Sequence, residues 1–440
     1  MLVLLISLMI LFIFSYIGTD RQLAAPSNLF CLSFIGAAIF ALLNQKRWSL
    51  ILDHRTYWVI VLSVFEFTLL TVVIWRLFRY FINNQATNYI YSKNDTLENI
   101  ENIENINIKL LFLITAQLIS IYFISRELKR VTGLSNIFQA MSYYNFNANN
   151  NLNINLDMPR FINLISNFSI GTGFYAEFMI AKSIVIRKKI NYLFLVVACL
   201  GLVTSMIYGS RGGAIIAFLS FIIYLLIELG RKSGWKPINV KIYIYIFISI
   251  IIILILLQVT SFLFQRKGTE NNLFQYISIY IGAEIKNLDI FIRNGLYPVK
   301  GDIWGQQTFY SLIPIFAKIK GVTVIKYFLD IPFQMVNGYN LGNVYTTFYS
   351  WIYDFGYVGV PILTAVMATL STIFYCLAIK NKENKYPGAI SVMFYGYIGS
   401  LVGLSFFSNK FYEGLTTSLI YYLLMWYILN IFFRVKFKNR

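Results

Sequence analysis

Apolar residues in this chain fall in long runs, most near or above the ~18 residues that let a helix cross the hydrocarbon of a bilayer. The runs cover roughly 2–17, 27–43, 57–77, 109–125, 162–184, 191–208, 213–229, 241–263, 357–379, 388–407 and 416–433. Each is expected to be a helix, because a spanning segment must satisfy its own backbone hydrogen bonds and the alternating pattern of an outer-membrane barrel is absent. The expected fold is therefore an all-α integral membrane protein of about eleven or twelve transmembrane helices. The first run lacks a basic leader and is followed by many others, so it is expected to be the first span rather than a signal peptide.

Three stretches interrupt the pattern. Thr96 to Lys109 repeats Glu-Asn-Ile, and residues 145–157 are rich in asparagine; both are expected to be solvated loops. The third, 264–356, is too long for a connector and too aromatic for disorder. Within it, Leu273 to Ile292 and Phe309 to Lys318 have the spacing of amphipathic helices, which would lie along the membrane surface and roof a cavity. Three stretches follow: 1–263 with the N-terminal spans, 264–356 as a long helical loop, and 357–440 with the C-terminal spans.

Composition supports this division. Hydrophobic residues make up 58% of the 440 and charged residues 13%, about half the share of a soluble domain. The net charge of +18 resides mainly in short inter-span loops, where it sets orientation, so no nucleic-acid partner is expected. Basic clusters at 187–189, 231–241, 380–385 and 434–440 fall at every second boundary and place the C-terminal tail in the cytoplasm. The long loop, and the turn at Gly209-Ser210-Arg211-Gly212-Gly213, then face the opposite side. Arg126 to Arg130 also looks cytoplasmic, yet one convincing span separates it from Arg187; either an extra span or re-entrant piece lies within 131–160, or this cluster is an exception to the alternation.

Candidate chemistry is sparse in the usual signatures. Cys31, Cys199 and Cys376 all fall inside predicted spans and suggest neither a disulfide nor a zinc site. The single histidine, His54, sits in a loop beside Asp53 and Arg55, and no Asp-x-Asp motif or glycine-rich phosphate loop occurs, so neither a metal nor another cofactor is expected.

Four patches, in order, resemble bacterial oligosaccharide repeat-unit polymerases, the O-antigen polymerase (Wzy) family. They are Gly209 to Gly213; Tyr280 to Asp289; Gly305 to Tyr310; and Asn343 to Tyr349, continuing through Tyr353-Asp354-Phe355-Gly356-Tyr357-Val358-Gly359. The fourth is the most specific. Together they cover about 200–360, and the hydropathy profile extends the likeness to nearly the full length. Glu284 departs from the small or apolar residue expected at its place. The resemblance implies a GT-C-like membrane glycosyltransferase in the bacterial inner membrane, joining undecaprenyl-diphosphate-linked glycans at the extracytoplasmic face. It also implies membrane lipids and a polysaccharide chain-length regulator as partners.

Such a reaction asks for a cation at the leaving diphosphate, a base for the acceptor hydroxyl and platforms for sugar. Arg211, beside Ser210, suits the first, since a guanidinium donates two parallel hydrogen bonds to phosphate, although a snorkelling anchor is the alternative. Arg266 and Arg293 are further candidates. A carboxylate is the expected base: Asp354, Asp289 or Glu284, with Glu270 and Asp302 also on the same side. Asp354 could instead cap a helix, and Asp289 could pair with Arg293 four positions on. Asn343, Tyr345, Tyr349 and Tyr353 would contact sugar, unless the tyrosines form an interfacial belt. An O-antigen ligase shares the scaffold but is expected to carry a histidine in its long loop, which 264–356 lacks. A lipid-linked oligosaccharide transporter or flippase would show internal repeats and charges at mid-span, of which Glu66 and Glu177 are exceptional cases.

Overall fold

The computed structural model describes residues 1–83, 105–150, 157–187, 190–236, 239, 241–242, 244–246, 248–252, 255, 273–295, 297–299, 303–321, 329–380 and 388–434. These residues are mostly helical. Among the described residues, six segments are long and apolar enough to cross a membrane: Pro26–Leu43, His54–Phe81, Ile106–Thr132, Gly212–Lys232, Thr347–Lys380 and Thr417–Arg434. Shorter apolar helices occupy Leu2–Gly18, Tyr192–Met206 and Ile390–Gly403. The chain is thus an all-α, multi-pass membrane protein.

In chain order the helices are α1 (Leu2–Gly18), α2 (Pro26–Leu43), α3 (His54–Asn83), α4 (Ile106–Thr132), α5 (Ile137–Asn150), α6 (Arg160–Arg187), α7 (Tyr192–Met206), α8 (Gly212–Lys232), α9 (Leu273–Asn294), α10 (Ile313–Lys320), α11 (Thr347–Phe355), α12 (Gly359–Lys380), α13 (Ile390–Gly403), α14 (Lys410–Glu413) and α15 (Thr417–Arg434). Strands β1 (Met335–Val336) and β2 (Tyr339–Asn340) pair antiparallel, with Met335 opposite Asn340. Most of the run expected over 241–263, and most of the Glu-Asn-Ile repeat, lie outside the described residues.

The segment expected to hide a further crossing holds α5, a helix of 14 residues. At 1.5 Å per residue it is about 21 Å long, short of the ~30 Å a span requires. One face of it packs against protein, where Ala140 and Met141 form an apolar cluster with Ile124, Leu128, Ile162 and Ile207, while Phe138, Tyr143 and Phe146 are exposed.

The chain divides into two compact units, which cut across the three stretches drawn from the sequence. The first unit comprises Met1–Thr87, Gly268–Leu377 and Ile398–Thr416. Here α9 packs on α2, and the approach depends on Gly282, where a Cβ would stand 2.7 Å from the Ala41 amide nitrogen. The helix expected to have one apolar face is enclosed on several sides over its C-terminal half. Gly282 to Asp289 are buried all round, because α2 covers one side and the 341–349 segment another. By contrast α10, which begins at a proline-containing turn and ends at Gly321 in the left-handed region, has no buried residue.

The second unit comprises Asn88–Lys267, Ala378–Tyr397 and Thr417–Arg440. Its centre is α6, against which α7, α8 and α15 pack. Polar side chains tie these helices through backbone carbonyls: Gln117 Nε2 donates to Ser169 O and Val197 O at 3.1 Å each, and Trp426 Nε1 to Gly171 O at 3.0 Å. Such bonds suit apolar surroundings, where an unpaired polar group is costly.

Candidate functional site

In the first unit, three of the four sequence patches meet. Asn287, on α9, donates through Nδ2 to Leu341 O at 3.2 Å and Val344 O at 2.8 Å. Asp354, near the end of α11, accepts from the amides of Gln307 at 3.3 Å and Thr308 at 2.6 Å. Thr308 Oγ1 donates to Ser350 O at 3.1 Å, and Asn409 joins the group by donating to Thr308 O at 2.8 Å and accepting from Trp351 Nε1 at 3.0 Å. Phe291 and Tyr349 rings lie 4.5 Å apart. Chain separated by many tens of residues is thereby held as one polar and aromatic cluster.

The carboxylates in this cluster differ sharply in environment. Asp354 is occupied by the two amides of the 307–308 turn, so it caps that turn rather than the start of its own helix. Asp289 has no exposed surface and accepts from the Asp53 amide at 2.8 Å, Thr56 Oγ1 at 2.9 Å and Arg293 Nε at 2.9 Å. It caps the beginning of α3 from a distant part of the chain, and the pairing with Arg293 anticipated from the sequence is present. The Arg293 guanidinium also donates to Ile51 O, and its side chain is 43% exposed. Glu284 is fully buried, and among the described residues neither carboxyl oxygen has a hydrogen-bond partner. Burial pushes this carboxyl well above the ordinary range.

Tyr345, Tyr349 and Tyr353 recur every four residues and form a row, with centroid separations of 4.3 Å and 5.9 Å. Their exposures are only 3%, 4% and 5%, which removes their faces from a sugar. The reason lies in the segment 329–334, whose polar groups engage the phenols. Tyr345 donates to Pro332 O at 2.8 Å, Tyr349 to Asp330 O, and Tyr353 to Asp330 Oδ2 at 3.1 Å. Burial raises the Tyr345 phenol to about 12. Asn343 is half-buried in the turn before this row.

Two residues of this region were not singled out in the sequence. Asp330 is exposed and carries a carboxylate steadied at one oxygen by the Tyr353 phenol. Trp304 is 77% exposed, with its ring held 5.7 Å from Phe309 and 5.0 Å from Phe355. The signal that points to the first is the Asn337-Gly338 pair, whose positive φ values of 51° and 78° make the tight turn joining β1 and β2. That hairpin returns the chain past Gln334, whose Nε2 donates to the Tyr345 hydroxyl at 2.9 Å, and so fixes Asp330 beside the tyrosine row.

Arg211 and Ser210 belong to the second unit. Gly209, with φ of 72°, turns the chain tightly against α5; any side chain there would meet the Met141 carbonyl. Ser210 Oγ accepts from the Gly212 amide at 3.3 Å, and Arg211 occupies the position before α8. Arg211 is 6% exposed, held inside protein rather than reaching for an aqueous boundary as a snorkelling anchor does. Arg266, Glu270 and Asp302 lie outside the described residues.

Comparison of the chain with protein-family models, with curated proteins and with solved structures returns no match.

Proposed function

We propose that this membrane protein is a glycosyltransferase of the O-antigen polymerase kind, with a GT-C-like architecture, joining oligosaccharide repeat units carried on undecaprenyl diphosphate at the extracytoplasmic face of a bacterial inner membrane. The observation that carries the proposal is the joining of three motif patches through Asn287, Thr308, Asp354 and Asn409. Residues that resemble one family in sequence thus also form one local structure. Both donor and acceptor are lipid-linked glycans, with a chain-length regulator as a further partner, and the chemistry needs no cofactor.

Asp330 is the proposed base for the acceptor hydroxyl. Asp289 and Asp354 are committed to backbone amides and so position the site, and Glu284 is sealed from solvent, so none of the three accepts the proton. Trp304 supplies an exposed face on which a sugar ring can rest. Arg211 is proposed to bind diphosphate through its planar fork, alongside the amides at the start of α8.

The experiment is the polysaccharide ladder of a strain lacking this protein. Lipid A core capped by one repeat unit is the expected product; loss of all repeats, or an unchanged ladder, overturns the proposal. In the complemented strain, Asp330→Asn is expected to slow polymerisation by about 10²–10⁴-fold, the usual contribution of a general base. Arg211→Lys and Arg211→Ala are expected to abolish the ladder while the protein remains in the membrane.

A further inference from the structure

We propose that Glu284, Asn287 and Thr346 hold an alkali-metal cation, sodium or potassium, in the seam between α9 and the 341–347 segment. This is independent of the reaction proposed above. Glu284 and Asn287 stand three positions apart on α9 and so share one face, about 5–6 Å apart at their Cβ atoms. Their exposures are both 0%, and that of Thr346 is 1%.

The orientation of Asn287 is fixed by its bonds. Nδ2 donates to two carbonyls, Leu341 O and Val344 O, which turns Oδ1 the other way as an acceptor. Thr346 follows two residues after Val344, and the contacts on either side bracket its place. Asn287 meets Val344 before it, and Phe291 meets Tyr349 after it. One turn back from Glu284 on the same helix, Tyr280 stacks on Phe407, two residues after Ser405, whose carbonyl accepts from the Thr347 amide at 2.9 Å.

Four oxygen atoms on these three residues lack a hydrogen-bond partner among the described residues: both carboxyl oxygens of Glu284, Oδ1 of Asn287 and Oγ1 of Thr346. Three of the four can only accept, or supply a single proton between them, while the hydroxyl is both donor and acceptor. A proton on Glu284 provides one donor for several acceptors. A cation satisfies all of them together and neutralises the carboxylate, which would otherwise be a buried, uncompensated charge. One carboxylate matches one positive charge, whereas Ca²⁺ and Mg²⁺ favour more anionic or hydrated shells. Neutral amide, hydroxyl and carbonyl oxygens are the ligands that commonly replace the hydration of monovalent ions.

The test is thermal unfolding of the purified full-length protein, followed by tryptophan fluorescence. It is titrated with sodium, potassium or N-methylglucamine chloride at constant ionic strength. A saturable rise in Tm of about 2–4 °C is expected in sodium or potassium over N-methylglucamine. It should vanish in Glu284→Gln and weaken in Asn287→Ala. Protons compete for the carboxylate, so the cation midpoint should rise about tenfold for each pH unit below that group's folded pKa. This second measurement uses the wild-type protein and decides the matter if the glutamine variant does not fold. Equal Tm in the three salts, an undiminished response in Glu284→Gln, or a response to pH alone overturns the proposal.

Discussion

Asp289 reaches across 236 positions of chain to accept the amide of Asp53, and the same carboxylate takes Thr56 and Arg293. A side chain so engaged is doing structural work, and its loss should register in stability before activity. Asp289→Asn keeps the shape but removes the charge facing Arg293 and leaves a donor where an acceptor is needed. A cost of about 1–3 kcal/mol is expected, the range for leaving a buried hydrogen-bonding group mismatched, since Arg293 is half exposed and stays partly solvated; it is visible as a lower Tm of the purified protein. Glu284 is the opposite case, with full burial and no hydrogen-bond partner among the described residues. Its folded pKa lies above its unfolded value, so in cation-free buffer its contribution to stability is complete below about pH 4 and is lost as pH rises through the folded pKa. Glu284→Gln is expected to flatten that alkaline loss in a pH series of Tm values. The sequence identified both acids as candidates. It could not separate them, because an acid's role is set by neighbours that the chain brings in from other elements.

At the level of elements, α9 was legible within two residues of its end, from apolar spacing over Leu273 to Ile292. What the spacing did not show is how closely it approaches α2. The approach is set by one missing side chain, at Gly282, where a Cβ would fall 2.7 Å from Ala41 N and 2.8 Å from Phe40 C. Both obstacles are backbone, which cannot rotate aside. Gly282→Val is therefore expected to cost about 1–3 kcal/mol, measured as a Tm decrease, with Gly212→Ala, which meets only the Ser210 hydroxyl at 3.6 Å, as the milder control. The tyrosine row that leads into α11 was equally visible as Tyr345, Tyr349 and Tyr353. Its burial was not, because the covering segment arrives through a hairpin whose two strands are two residues each.

For the whole molecule, the alternation of basic clusters predicts opposite sides for the C-terminal tail and the long loop. In a variant with Cys31, Cys199 and Cys376 replaced, a cysteine at Ile319, a site 75% exposed, should react with a membrane-impermeant thiol reagent from outside. A cysteine at Lys436 should react only after permeabilisation; the reverse pattern overturns the orientation. Hydropathy by itself determined that the chain is helical and crosses a membrane repeatedly, since the bilayer demands long apolar runs with self-satisfied backbone. The four motif patches came from residue identities, not from hydropathy. Tertiary structure alone decided that three of those patches join, that Asp289 and Asp354 are spent on backbone amides, that Asp330 faces outward and that Glu284 is sealed in. These outcomes depend on hydrogen bonds and close backbone approaches between residues far apart in the chain, and such pairings leave no periodic trace in sequence.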